Sequence, residues 1–155
     1  MRRPTSGFSL LETLVVLVVI GILVRIAIPR IAESKRSGMA GRIVGALSTL
    51  RTTAYAYQAS TNQWPASAAT GVAPAGLGAQ LPSGFSMGTT DYQLQWTVTQ
   101  VRVRSGVQDI PMVRAYVTDP LLCGRVAGVL GGARNLDVVA VCSGRNAYVS
   151  WSFDR

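Results

Sequence analysis

Phe8 to Ile28 reads FSLLETLVVLVVIGILVRIAI, 21 residues in which Glu12 and Arg25 are the only charges. At 1.5 Å of rise per residue, a helix over this stretch is roughly 32 Å long, about the thickness of a bilayer's hydrocarbon core. The spacing therefore predicts a membrane-length helix. Arg2 and Arg3 lie before it and Arg30, Lys35 and Arg36 after it. With basic residues on both sides, charge bias alone does not fix an orientation.

Beyond this stretch the apolar residues thin to a stripe. Met39, Ile43, Leu47, Leu50, Ala54 and Tyr57 recur at helical spacing, with Arg42, Ser48, Arg51 and Thr52 on the other faces. One helix is expected to continue to about Gln58, with Pro29 as its local defect, because proline removes an amide donor and crowds the preceding turn. Residues 59–88 are rich in Ser, Thr, Ala, Gly and Pro, and read as a long loop.

Strands follow. Tyr92, Leu94, Trp96 and Val98 alternate with polar neighbours, and the alternation then slips to Val101 and Val103. That slip predicts a bulge near Thr99 and Gln100. Ser105-Gly106 reads as a turn, Met112 to Val117 as a second strand, Asp137 to Cys142 as a third and Ala147 to Phe153 as a fourth. The last two are joined by the turn Ser143-Gly144-Arg145-Asn146. Asp119 to Leu130 begins with a capping residue and Pro120, the signature of a short helix. The expected fold is α+β, a long N-terminal helix whose amphipathic half packs on a C-terminal antiparallel sheet. Its segments are residues 1–7, 8–29, 30–58 and 59–155.

Composition sets the functional class. The chain has 155 residues, no His, two Cys, and 15 basic against seven acidic residues, for a net charge of +8. Acid/base, nucleophilic and metal chemistry lack their usual side chains, so no enzyme and no cofactor is expected. Asp109, Asp119 and Asp137 are scattered without ligand-like spacing, and no metal site is expected. Only 14% of residues are charged while 48% are apolar, which points to contact with lipid. The excess positive charge sits mainly in the first third, so the high pI alone is no argument for nucleic acid.

Gly7, Phe8, Glu12, Gly21 and Pro29, set in GFSLLETLVVLVVIGILVRIAIP behind a short basic leader, resemble the start of a type IV pilin or pseudopilin precursor. An ordinary secretory signal has a shorter apolar region, and a plain anchor gives no role to an acid. The resemblance implies cleavage between Gly7 and Phe8 by a prepilin peptidase, N-methylation of Phe8, and polymerisation through the helix. The subunit would start in the inner membrane with its head outside the cytoplasm, then join copies of itself or related pilins with the help of an inner-membrane assembly platform. A carboxylate in an apolar helix costs roughly 2.5 to 3.5 kcal/mol and calls for a cationic partner. The amine freed at Phe8 lies four residues before Glu12, on the same helical face, and the resemblance implies that it pairs with Glu12 of a neighbouring subunit. Pro29 corresponds to the position where such helices unwind in the fibre. Arg25 departs from the pattern and is read as snorkelling to the interface.

An extracytoplasmic head allows a disulfide between Cys123 and Cys142, worth roughly 3 kcal/mol in the chain-entropy model, with two buried thiols as the alternative. The bridge is similar to the one that closes the C-terminal loop of many type IV pilins. The expected function is a pilus subunit, major or minor. The alternatives are a pseudopilin of a type II secretion system, or a minor pilin that binds DNA. For DNA the place to look is Arg102 and Arg104, on one strand face. The tryptophans and tyrosines, Tyr116 and Tyr148 among them, are expected in the core.

Overall fold

The computed structural model describes residues 9–103, 106–131, 137–144 and 146–153. Arg104, Ser105 and Arg145 fall outside them, as do Gly7 and Phe8. The element order is α1 (Leu10–Thr61), β1 (Tyr92–Val103), β2 (Gly106–Val117), α2 (Pro120–Val129), β3 (Val138–Val141) and β4 (Ala147–Ser152). By compactness the chain divides at Lys35 into a first unit and a second, Arg36–Arg155. α1 runs through that boundary and contains Pro29 without ending there. Its 52 residues stop at Thr61, three beyond the expected Gln58, where Asn62 takes a left-handed φ of 56°. Asparagine tolerates that conformation, and the Asn62 amide still donates to the Gln58 carbonyl at 2.8 Å.

Within the second unit, α1 buries Ala40, Ile43, Leu47, Leu50 and Ala54, a 3-4 stripe along one side. Met39 and Tyr57, expected in that stripe, are only partly buried, and Ala40 takes the deeper place. Thr53 is buried too, its hydroxyl donating to the Thr49 carbonyl at 2.9 Å. Opposite this stripe is a four-stranded sheet of order β1-β2-β4-β3, antiparallel throughout. Leu94, Trp96, Val113, Ala115 and Val149 complete the core from the sheet side.

The pairing of β1 with β2 runs without interruption from Tyr92↔Val117 to Val103↔Gly106, so there is no bulge at Thr99 and Gln100. The apolar alternation slips for another reason. Burial fades beyond Val98, and Thr99 to Arg102 are exposed together with Gly106 to Asp109 opposite. A ribbon that projects past its core has no inner face to enforce the alternation. β2 accordingly starts at Gly106, six residues before the expected Met112.

The Pro- and Gly-rich segment after α1 is strapped along the free edge of β1. Ala68 and Gly71 amides donate to the Trp96 and Leu94 carbonyls at 3.0 and 2.7 Å, the Leu94 amide donates to the Met87 carbonyl at 2.6 Å, and the Trp96 indole donates to the Pro65 carbonyl at 3.0 Å. An open strand edge is a template for unwanted pairing, and this loop covers it.

Asp119 caps α2, its carboxylate accepting from the Leu121 amide at 2.9 Å and from Arg36 Nε on α1 at 2.9 Å. The Arg36 hydrogen bond and then the Leu121 amide hold the Asp119 carboxyl below its ordinary value. A depressed carboxyl stabilises the fold at pH values above its unfolded pKa, and the contribution fades as the pH falls through the folded value. Asp119→Ala is therefore expected to cost about 1 kcal/mol at neutral pH, mostly as a lost cap, because the ion pair is more than a third exposed. Denaturant unfolding of wild type and variant checks this, with the gap expected to shrink under acid.

Candidate functional site

The described residues of the first unit form an apolar helix that is exposed along its length. Leu10, Leu14, Val15, Val16, Leu17 and Val18 are all at least 46% exposed, and successive residues on a helix point about 100° apart, so every side is greasy. The most apolar 18-residue window has none of its residues buried. Apolar patches of this extent on a soluble monomer mark a surface that meets lipid or protein. The helix is long and apolar enough to cross a membrane.

Glu12 sits in the first turn of α1, its amide donating to the Ser9 carbonyl at 3.0 Å, while the Thr13 hydroxyl donates to the Leu10 carbonyl at 2.8 Å. An acid is favoured at that end by the exposed amide groups of the first turn. Among the described residues Glu12 has no ionic partner. A Cβ placed on Gly21 would meet nothing within 4 Å, so no contact among the described residues requires a glycine there. A small residue on an exposed helix lets a second helix approach closely.

In the second unit, Cys123 on α2 and Cys142, just after β3, form a disulfide with Cα atoms 5.4 Å apart. It ties the short helix to the outermost strand of the sheet. Among the described residues, no three of His, Cys, Asp and Glu converge.

Two groups of aromatic residues stand apart. Tyr55, Trp64, Trp96, Trp151 and Phe153 form a continuous cluster in and beside the core, with centroids 5.4 to 6.3 Å apart. Arg51 lies over the Trp151 ring at 4.6 Å and caps that cluster. Tyr116 and Tyr148 do not join it. They contact each other at 5.9 Å on the opposite face of the sheet, which corrects the expectation that they pack in the core. The signal lies in β2, where Val113, Ala115 and Val117 are buried while Met112, Arg114 and Tyr116 are only partly so. Arg102, expected to mark a nucleic-acid contact, is exposed on the projecting ribbon, and its companion Arg104 lies outside the described residues.

Residues 2–27 match the family model of the prokaryotic N-terminal methylation motif, the leader signature of type IV prepilins. Among curated proteins and among solved structures nothing matches the chain. The motif with its apolar helix supports a prepilin of the pilin and pseudopilin kind and is consistent with a membrane-anchored precursor. Such a motif implies a structural protein rather than an enzyme.

Proposed function

We propose that this chain is a structural subunit of a type IV pilus, cut after Gly7 by prepilin peptidase and polymerised through its N-terminal helix. The observation that carries the reading is the exposed apolar helix bearing, four residues after Phe8, a Glu12 with no ionic partner among the described residues. Lipid serves such a helix only in part, because it solvates the apolar side chains and leaves the carboxylate costly. A bundle of like helices serves both. It buries apolar surface at ~25 cal/mol per Å² and brings the amine of Phe8 in one subunit to Glu12 of another. Gly21 is where such helices come closest, and Pro29 is where one of them loosens. The partners that follow are copies of this chain or related subunits, the peptidase, an assembly platform in the inner membrane, and lipid before assembly.

Fractionation of cells expressing an epitope-tagged chain tests this. A pilus subunit is recovered in long fibres sheared from the cell surface. Recovery only in the membrane and periplasm, with loss of protein secretion on deletion, would instead assign the chain to a secretion pseudopilus.

A further inference from the structure

The face of the sheet turned away from α1 carries polar side chains that bond poorly to one another. The strand register places Gln93, Tyr116 and Tyr148 side by side, and the next outward row is Gln95, Arg114 and Ser150. Arg114 is the one basic side chain on that face among the described residues, and Asp137, opposite Ser152 just before β3, is the acid that the register sets on the same side. The bonds of Arg114 are poor. Nη1 donates to the Tyr116 hydroxyl at 3.3 Å, Nη2 reaches only the Met112 sulfur at 3.6 Å, and the guanidinium lies 5.1 Å from the centre of the Tyr148 ring. Nε of Arg114 and Oγ of Ser150, adjacent across the strands, are buried and find no hydrogen-bond partner among the described residues. Ser150 is only 5% exposed. Native folds satisfy nearly all buried polar atoms, so two orphans side by side mark a missing acceptor. A guanidinium has five donors arranged to grip a carboxylate, and bonds of 3.3 and 3.6 Å are cheaply exchanged for a charged one.

One row further on, at Gln93 and Tyr116, a cavity of about 250 Å³ opens at the end of the sheet. Tyr116 forms part of its wall, with Thr89, Thr90, Thr118, Gln93 and Asn146. Hydroxyls and carboxamides both donate and accept, which suits a ligand with many hydroxyl groups, and a tyrosine ring suits the C–H face of a sugar. We propose that this site binds an acidic saccharide, its carboxylate taken by Arg114 and its ring held in the adjoining cavity. A nucleic acid fits less well, since a phosphate backbone calls for several cations and the Tyr148 ring is already covered by Arg114.

The test uses the full-length chain in dodecylphosphocholine micelles, which carry no sugar headgroup. The probes are the methyl glycosides of galacturonic, glucuronic and N-acetylneuraminic acid, each beside its neutral methyl ester, with acetate as a bare anion. Binding is followed by saturation-transfer NMR and calorimetry. At least one acid is expected to bind tenfold or more tightly than its ester. Arg114→Gln should bring that acid down to the level of the ester and leave the ester unchanged, while Asn146→Ala weakens both alike. Arg114→Lys, which keeps the charge, should retain part of the preference, so a lost preference is separable from a lost fold. Equal binding of acid and ester overturns the proposal, as does silence from all three acids at millimolar concentration. Displacement by acetate at equal concentration also overturns it, by reducing the site to one for any small anion.

Discussion

Glu12→Ala is expected to insert in the membrane and to be trimmed as the wild type is, while its yield of fibres falls by on the order of a hundredfold. The two halves of this result have separate physical origins. In lipid the substitution removes a buried carboxylate and relieves a cost of roughly 2.5 to 3.5 kcal/mol, so insertion is eased. In the proposed fibre it strips the partner from a buried ammonium, and breaking one side of a buried pair costs roughly 3 to 5 kcal/mol. Both changes favour the membrane over the polymer. Glu12→Gln, which keeps the size and loses the charge, should behave like alanine. Sheared-fibre yield measured against membrane-resident mature subunit checks the prediction, and wild-type fibre yield from Glu12→Ala contradicts the mechanism.

Gly7→Val acts one step earlier. The proposed cleavage runs through the backbone between Gly7 and Phe8, where the protease must lie against the chain, and a β-branched side chain at that point blocks the approach. The variant is expected to accumulate as uncut precursor with no detectable mature form and no fibres. Without the cut, Phe8 offers an amide where Glu12 needs an ammonium, so the missing pair is common to both variants. They differ in mass, since Glu12→Ala yields the trimmed chain and Gly7→Val the full-length one. The double variant should assemble no worse than Gly7→Val alone, because both changes remove the same interaction. Mass spectrometry of membrane extracts reads the outcome directly, and a mature species starting at Phe8 in Gly7→Val would contradict it.

The parts of this molecule most legible in sequence are those governed by local periodicity or composition. The run from Phe8 to Ile28 announced an exposed apolar helix, and Asp119-Pro120 announced the cap and first turn of α2. Where the reading missed, the deciding force was tertiary. The slip in apolar phase after Val98 suggested a bulge, but a ribbon beyond the core has no inside, so its apolar pattern carries no register. Residues 62–91 have no period of their own, because they are held by isolated turns such as Leu77 to Pro74 and Phe85 to Pro82 and by a few bonds to the edge of β1, such as those of Ala68 and Gly71. Tyr116 and Tyr148 read as core by residue type, whereas strand alternation opposite Val117 and Val149 turns them outward. Arg114 carries no local signal in sequence, since its poorly bonded guanidinium becomes unusual only when the register sets it between Gln95 and Ser150. The helix was legible for a further reason. The function proposed for it leaves its side chains exposed within the chain, and a stretch with none of its described residues buried is described almost completely by its own sequence.

The central claim is that Glu12 is retained in the apolar helix because trimming supplies an amine to meet it. N-terminal sequencing and intact mass of the subunit recovered from its native filaments test this most directly. The account predicts a chain that begins at Phe8 with a methylated amine and still contains the whole apolar helix. Filaments built from chains that begin at Met1, or from chains that have lost that helix, would contradict it.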